Sequence, residues 1–326
     1  GTGSTHEVAL GWEPQFLLVK SASSSASWRM LDTMRGFIAP PTGNDDSKIL
    51  FADSSSAEDE SGTLNVSTNG FIVSSDVGHT NVSGQTYTYM AIRAPMMKEP
   101  EAATDVFAAA SRTGASGDTP CWVSGFVTDM TIMAEDGLSN NYVATRLTGD
   151  RLVATDADMA EASGGGKYTW DYMTGFNWYP GASATNRELM WKRAKGYFDV
   201  VAYSGSGSAS TVPHSLGVVP EMIWTKYRNG AVNWAVYHSG IGNTKHLRLN
   251  DYHAQIGGTN FWNNTTPTDT HFTVGTDGET GHSSGNYIAF LFASLDGISK
   301  VGNFVGNGSS QTISCGFSAG SRFILI

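Results

Sequence analysis

Short apolar and aromatic runs recur along the chain, separated by Gly, Asn, Asp and Ser. Examples are Phe16-Leu17-Leu18-Val19, Tyr87-Thr88-Tyr89-Met90-Ala91, Met222-Ile223-Trp224 and Tyr287-Ile288-Ala289-Phe290-Leu291-Phe292-Ala293. Runs this short, roughly ten to twenty residues apart and split by turn formers, predict strands of antiparallel sandwiches. The unbroken apolar runs predict central strands, buried on both faces. Helical periodicity is scarce. Residues 100–110 and 156–162 are the candidates, and the first reads better as a strand because residues 107–126 parallel residues 198–218. Residues 21–27 and 164–166 are exposed loops.

The strands fall into a long repeat. Pro14 and Pro220 each follow a glycine by three residues, Gly11 and Gly217. Each precedes a lysine by six, Lys20 and Lys226, and a tryptophan by fourteen, Trp28 and Trp234. A middle copy has Gly125, Thr128 in the proline place and Tyr142 in the tryptophan place. A last copy puts Ser321 in the proline place. The intervals are 114, 92 and 101 residues. Leu50-Phe51-Ala52-Asp53, Leu152-Val153-Ala154-Thr155-Asp156 and Leu247-Arg248-Leu249-Asn250 each read as a strand ending on a turn former. The expectation is an all-β protein of tandem antiparallel, jelly-roll-like sandwich units of about a hundred residues. Their bounds are 1–95, 96–195 (divergent), 196–297, and 298–326 as the start of a fourth. On this reading the natural chain continues past Ile326, with a lysine at or near the next position. The opening Gly1 marks an internal piece of a longer polypeptide or a processed product.

Composition narrows the function. Charged residues are 15% and the formal net charge is −10, which argues against a nucleic-acid surface. No apolar stretch approaches the roughly 18 residues of a spanning helix, so no membrane insertion is expected. Cys121 and Cys315 occupy similar places in two units, too far apart for a disulfide, and predict two free, mostly buried thiols.

Candidate chemistry is thin. Gly281-His282-Ser283-Ser284-Gly285 has the form of a nucleophile elbow, but an elbow needs a following helix, and a strand follows here. His238, His246 and His253 lack zinc-protease spacing and read as surface or loop residues, with His246 and Arg248 on one strand face. Acidic groups at Asp45-Asp46, at residues 53–60 and at Asp150, Asp156 and Asp158 read as solvated loops. No cofactor is expected, and calcium is the ion such clustered oxygens would suit. No carboxylate pair at glycosidase spacing stands out. Trp28, Trp191, Trp224 and Trp234 are core candidates. Trp12, Trp178 and Trp262, in turns, are the candidate surface aromatics for binding.

As a set, Gly196-Tyr197-Phe198-Asp199-Val200-Val201-Ala202-Tyr203-Ser204-Gly205, residues 214–224, Ser284-Gly285-Asn286-Tyr287-Ile288-Ala289, Ser299-Lys300-Val301-Gly302, residues 306–313 and Ser83-Gly84-Gln85-Thr86-Tyr87 resemble a known family. It is the repeats of virion structural and tail-fibre proteins of marine bacteriophages, cyanophages especially. Residues 140–163 also resemble concanavalin-like jelly rolls. The phage resemblance implies a virion component with no catalytic residues. Its partners would be its own copies and other virion proteins, with host-surface glycans as ligands. Such fibres are often trimers, and exposed sandwich edges would need covering. The leading reading is thus a non-enzymatic particle appendage for host adhesion. The alternatives are a carbohydrate-binding module array and a glycan depolymerase.

Overall fold

The computed structural model describes residues 1–41, 47–60, 63–75, 80–113, 119–135, 140–178 and 185–326. The first unit holds β1 (His6–Ala9), β2 (Pro14–Ser21), β3 (Arg29–Asp32), β4 (Leu50–Phe51), β5 (Leu64–Ser67), β6 (Gly70–Val73) and β7 (Tyr87–Arg93). The middle unit holds β8 (Phe107–Thr113), β9 (Trp122–Val123), β10 (Met130–Glu135), β11 (Tyr142–Thr145), β12 (Arg151–Ala154), β13 (Ala162–Ser163), β14 (Gly175–Phe176) and β15 (Thr185–Trp191). The third holds β16 (Phe198–Ser204), β17 (Ser210–Pro213), β18 (Met222–Tyr227), β19 (Ala235–His238), β20 (Lys245–His246), β21 (Ile256–Gly257), the single-turn α1 (Thr259–Trp262), β22 (His271–Val274) and β23 (Asn286–Phe292). The fold is all-β, and among the described residues every strand pairing is antiparallel.

One pairing scheme occurs three times. β2 lies between β3 and β7, β10 between β11 and β15, and β18 between β19 and β23. The registers coincide: Phe16 pairs with Ile92, Met130 with Trp191 and Met222 with Phe292. The strand before each turn joins a second layer, β1 to β6, β9 to β14 and β17 to β22. The turn glycines Gly11, Gly125 and Gly217 have φ of 82°, 86° and 74°, a left-handed conformation that glycine adopts without steric cost.

The repeated residues have a shared job. Lys226 Nζ donates to the Val232 carbonyl at 2.6 Å, and Lys20 Nζ donates to the equivalent carbonyl of Ala26. Each lysine thereby holds the turn that leads into the next strand. The turn-forming side chains act likewise: Asp53 accepts the Trp28 N–H at 3.2 Å and Asn250 the Trp234 N–H at 3.0 Å. In the middle unit Asp156 accepts from Asn141, at 3.1 Å. Asn141, not Tyr142, therefore stands in the tryptophan place, because the middle turn is one residue shorter.

Some expectations need correction. Trp28 is 36% exposed whereas Trp234 is fully buried. The middle unit covers Trp234, whose indole N–H donates to the Ala154 carbonyl at 2.6 Å. Residues 100–110 combine a 3₁₀ turn, Ala103–Asp105, with strand β8, and residues 156–162 form no helix. Cys121 and Cys315 are both free thiols, but only Cys121 is buried. His246 is not at the surface: it is buried, stacked 3.6 Å from Phe261.

The units are not separate beads. One apolar cluster runs from Leu17, Leu64 and Phe71 through Val106, Met130 and Val143 to Phe198, Trp234 and Phe290. Two arginines tie the units together. Arg193 meets Glu13 of the first unit at 2.8 Å and Asp199 of the third at 2.6 Å, while its N–H donates to Asp129 of the middle unit at 2.7 Å. Burial pulls the Arg193 guanidinium down, but Asp199, Glu13 and Asp129 outweigh it and hold the group well above its ordinary value. Arg228 grips Glu161 at 2.6 Å and donates to the Pro40 carbonyl at 2.9 Å. Among the described residues no helix is long and apolar enough to cross a membrane.

Candidate functional site

The shared core brings two walls face to face. Between the β1–β6–β5 sheet of the first unit and β16–β17 of the third lies a cleft of about 770 Å³. β1 contributes His6 and Glu7, the end of β5 contributes Ser67, and the β5–β6 turn contributes Thr68 and Asn69. The far wall carries Tyr203, Ser206, Thr211, Thr270 and His271, and the buried Arg228 also lines the cleft. Strand alternation turns Glu7 away from Val8, which packs on the core beneath β1, and Thr211 away from Val212, buried beneath β17.

The polar groups are pre-arranged. Glu7 accepts from Ser67 Oγ at 2.5 Å and from Asn69 Nδ2 at 3.2 Å. His271 Nδ1 lies 3.0 Å from Thr268 Oγ1 and 3.2 Å from Thr270 Oγ1. Tyr203 stacks on Tyr287 at 5.0 Å and donates its hydroxyl to the Thr280 carbonyl at 2.8 Å. The Arg228 charge is matched by Glu161 and is held in the frame rather than offered to a ligand. What remains is a polar trough of hydroxyls, amides and one carboxylate, while the Tyr203 ring packs against Tyr287 and Phe272. Such a surface exchanges hydrogen bonds with a polyhydroxylated ligand.

A smaller hollow of about 500 Å³ lies beside Val218, Pro220, Tyr237 and Asn243, within one unit. In the middle unit, burial pushes the Glu188 carboxyl up to about 8, while the hydrogen bond from Thr131 works the other way. It lies in the same unit as the Tyr168, Trp170, Phe176 and Trp178 ring stack.

The aromatic residues expected at the surface divide. Trp12 is half-buried in the turn between β1 and β2. Trp178 and Trp262 are core residues: they are 7% and 1% exposed, Trp178 stacking on Tyr168 at 6.0 Å and Trp262 meeting Tyr237 edge-on at 5.8 Å. Neither can present its ring to a ligand, because Trp178 packs into the core of the middle unit and Trp262 into that of the third. Residues 281–285 form the turn that feeds β23, with Ser284 at φ 61°. Among the described residues no group of three or more His, Cys, Asp or Glu is placed to hold a metal ion, and Asp45 and Asp46 lie outside them.

His6, Glu7, Asn69, Tyr203 and His271 carried no signal in the sequence. They come from strands far apart in the chain and meet only because the first and third units pack together.

No curated protein and no solved structure is significantly similar to this chain. A family model described as "Domain of unknown function (DUF7483)" matches residues 1–95 and 108–326, and the chain belongs to that family.

Proposed function

We propose that the protein is a non-enzymatic module of a bacteriophage particle appendage, and that it holds host-surface glycan in the cleft between its first and third units. The cleft carries this reading: a trough of about 770 Å³ lined by hydroxyls, amides and one carboxylate suits a neutral or weakly cationic sugar chain. The virion assignment rests on the likeness of residues 196–205, 214–224 and 284–289 to phage repeats. Weak contacts repeated over many copies would add through avidity.

The test is retention of host polysaccharide, or of spots on a glycan array, by the wild-type chain and by Asn69→Ala and His271→Ala. At least a tenfold loss in both variants, with unchanged circular dichroism, is expected. Equal retention by wild type and variants would remove the cleft from the account. Mass spectrometry of purified particles checks the virion assignment, and absence of the chain from them would contradict it. Release of new reducing ends from the polysaccharide would favour the depolymerase alternative.

A further inference from the structure

β23 and β15, which close the main sheets of the third and middle units, are each covered on the outer side by one more strand. β16 covers β23 with Phe198 opposite Phe292 and Tyr203 opposite Tyr287. β8 covers β15 with Phe107 opposite Trp191. The equivalent strand of the first unit, β7, is the last in its sheet, whose order is β4–β3–β2–β7. Its side chains show the difference. Tyr89, Met90 and Ile92 are 49%, 49% and 52% exposed, whereas Ala289 and Phe290 of β23 are fully buried. An apolar edge with unpaired backbone groups is a template for another strand.

The chain also carries a segment in the place of the missing strand that joins no sheet among the described residues. Ser299 bridges Leu295 as Phe198 bridges Ala194, with the same local hydrogen bonds: Ser299 N–H to the Leu295 carbonyl at 2.9 Å, Phe198 N–H to the Ala194 carbonyl at 3.2 Å. Residues 299–305 thus occupy the place of residues 198–204. The glycine that follows agrees, Gly308 having φ 73° and Gly207 φ 72°. Yet residues 299–305 pair with no strand among the described residues, and Phe304 and Val305 are 51% and 83% exposed.

We propose that the open edge of β7 accepts residues 299–305 of a second copy of this chain as an antiparallel strand. The register follows from β16 on β23: Ser299 faces Ile92, Val301 faces Met90 and Phe304 faces Tyr87. Phe304 then stacks on Tyr87 as Tyr203 stacks on Tyr287, at 5.0 Å. Tyr87 is held ready in the same way as Tyr287, its hydroxyl accepting the Val82 N–H at 3.1 Å as Tyr287 accepts the His282 N–H at 2.8 Å. The contact is head-to-tail, so copies add in series or close into a ring.

Sedimentation velocity of the 326-residue chain over rising concentration should show species above the monomer. Val301→Pro and Gly302→Pro each disfavour the strand, and one of them must remove a ladder donor, since donors alternate along a strand. At least one should weaken association tenfold or more. Placing a copy of residues 298–305 ahead of Gly1 should fill the edge in cis and return the chain to a monomer. In a Cys315→Ser background, a chain with Ile92→Cys mixed with a chain with Ser299→Cys should form a mixed disulfide. Tyr87→Cys in place of Ile92→Cys, out of register, should not. A monomer at every concentration, no mixed disulfide, or a disulfide within one chain when both substitutions are combined would overturn the proposal.

Discussion

The first and third units are the same strand arrangement in two environments. Both wrap a central strand between a short partner and a long closing strand, in the same register. Both hold the turn with a lysine and an Asx side chain. What differs is what lies against them. In the third unit β23 is covered by the unit's own β16 and Trp234 by the middle unit, while the first presents β7 and Trp28 to solvent. Equivalent sequence positions therefore carry unequal energy, because burial and not residue type sets the worth of an aromatic side chain.

The junction residues should show the largest effect. Arg193→Met leaves Asp199 buried and Glu13 nearly so without their cation. Breaking a buried charge cluster from one side costs about 3–5 kcal/mol. Urea unfolding should register a loss of that size, with the midpoint falling and the slope unchanged if the units still unfold together.

Next comes the tryptophan pair. Trp234→Ala should cost about 3–5 kcal/mol, as for a fully buried ring, and Trp28→Ala under about 1 kcal/mol, as for a surface site. Equal costs would mean that the middle unit does not cover Trp234 in solution.

The lysine pair sharpens the comparison through pH. Burial lowers Lys226 to about 8, against the raising influence of Asp158 and Glu279. Between about 8 and the ordinary lysine value the unfolded chain binds the proton and the folded chain does not. Stability from this group therefore rises with pH across that window and is lost as pH falls through about 8. Lys226→Met should abolish the rise, and Lys20→Met should leave it.

Glu188 works in the opposite sense. The folded chain keeps this carboxyl protonated up to about 8, whereas the unfolded chain releases the proton near its ordinary value of 4.5. Stability is full below that value and falls as pH rises toward about 8, by at most about 1.4 kcal/mol per pH unit. Glu188→Gln, followed by thermal melts at a series of pH values, should flatten the slope.

The repeat was legible because its markers act locally. A lysine that reaches a carbonyl six residues on, and a glycine that needs a left-handed turn, are spaced by the backbone itself. Exposure was not legible. Trp28 and Trp234 hold the same place in the pattern, and only the packing of another unit separates them. Trp262 closes the single-turn helix α1 and Trp178 follows the Thr169–Asn177 bridge, and both pack inward, against Tyr237 and Tyr168. The cleft was invisible for the same reason, since Glu7 and His271 meet across a junction between units. Arg193 could not be read as a junction residue, because its three acidic partners come from three different units.

Hydrogen exchange followed residue by residue at a concentration where the chain is monomeric bears most directly on the contrast between the two edges. The outward-facing amides of β7 should exchange much faster than any amide of β23, whose both sides are paired. Equal protection of the two strands in the monomer would contradict the account.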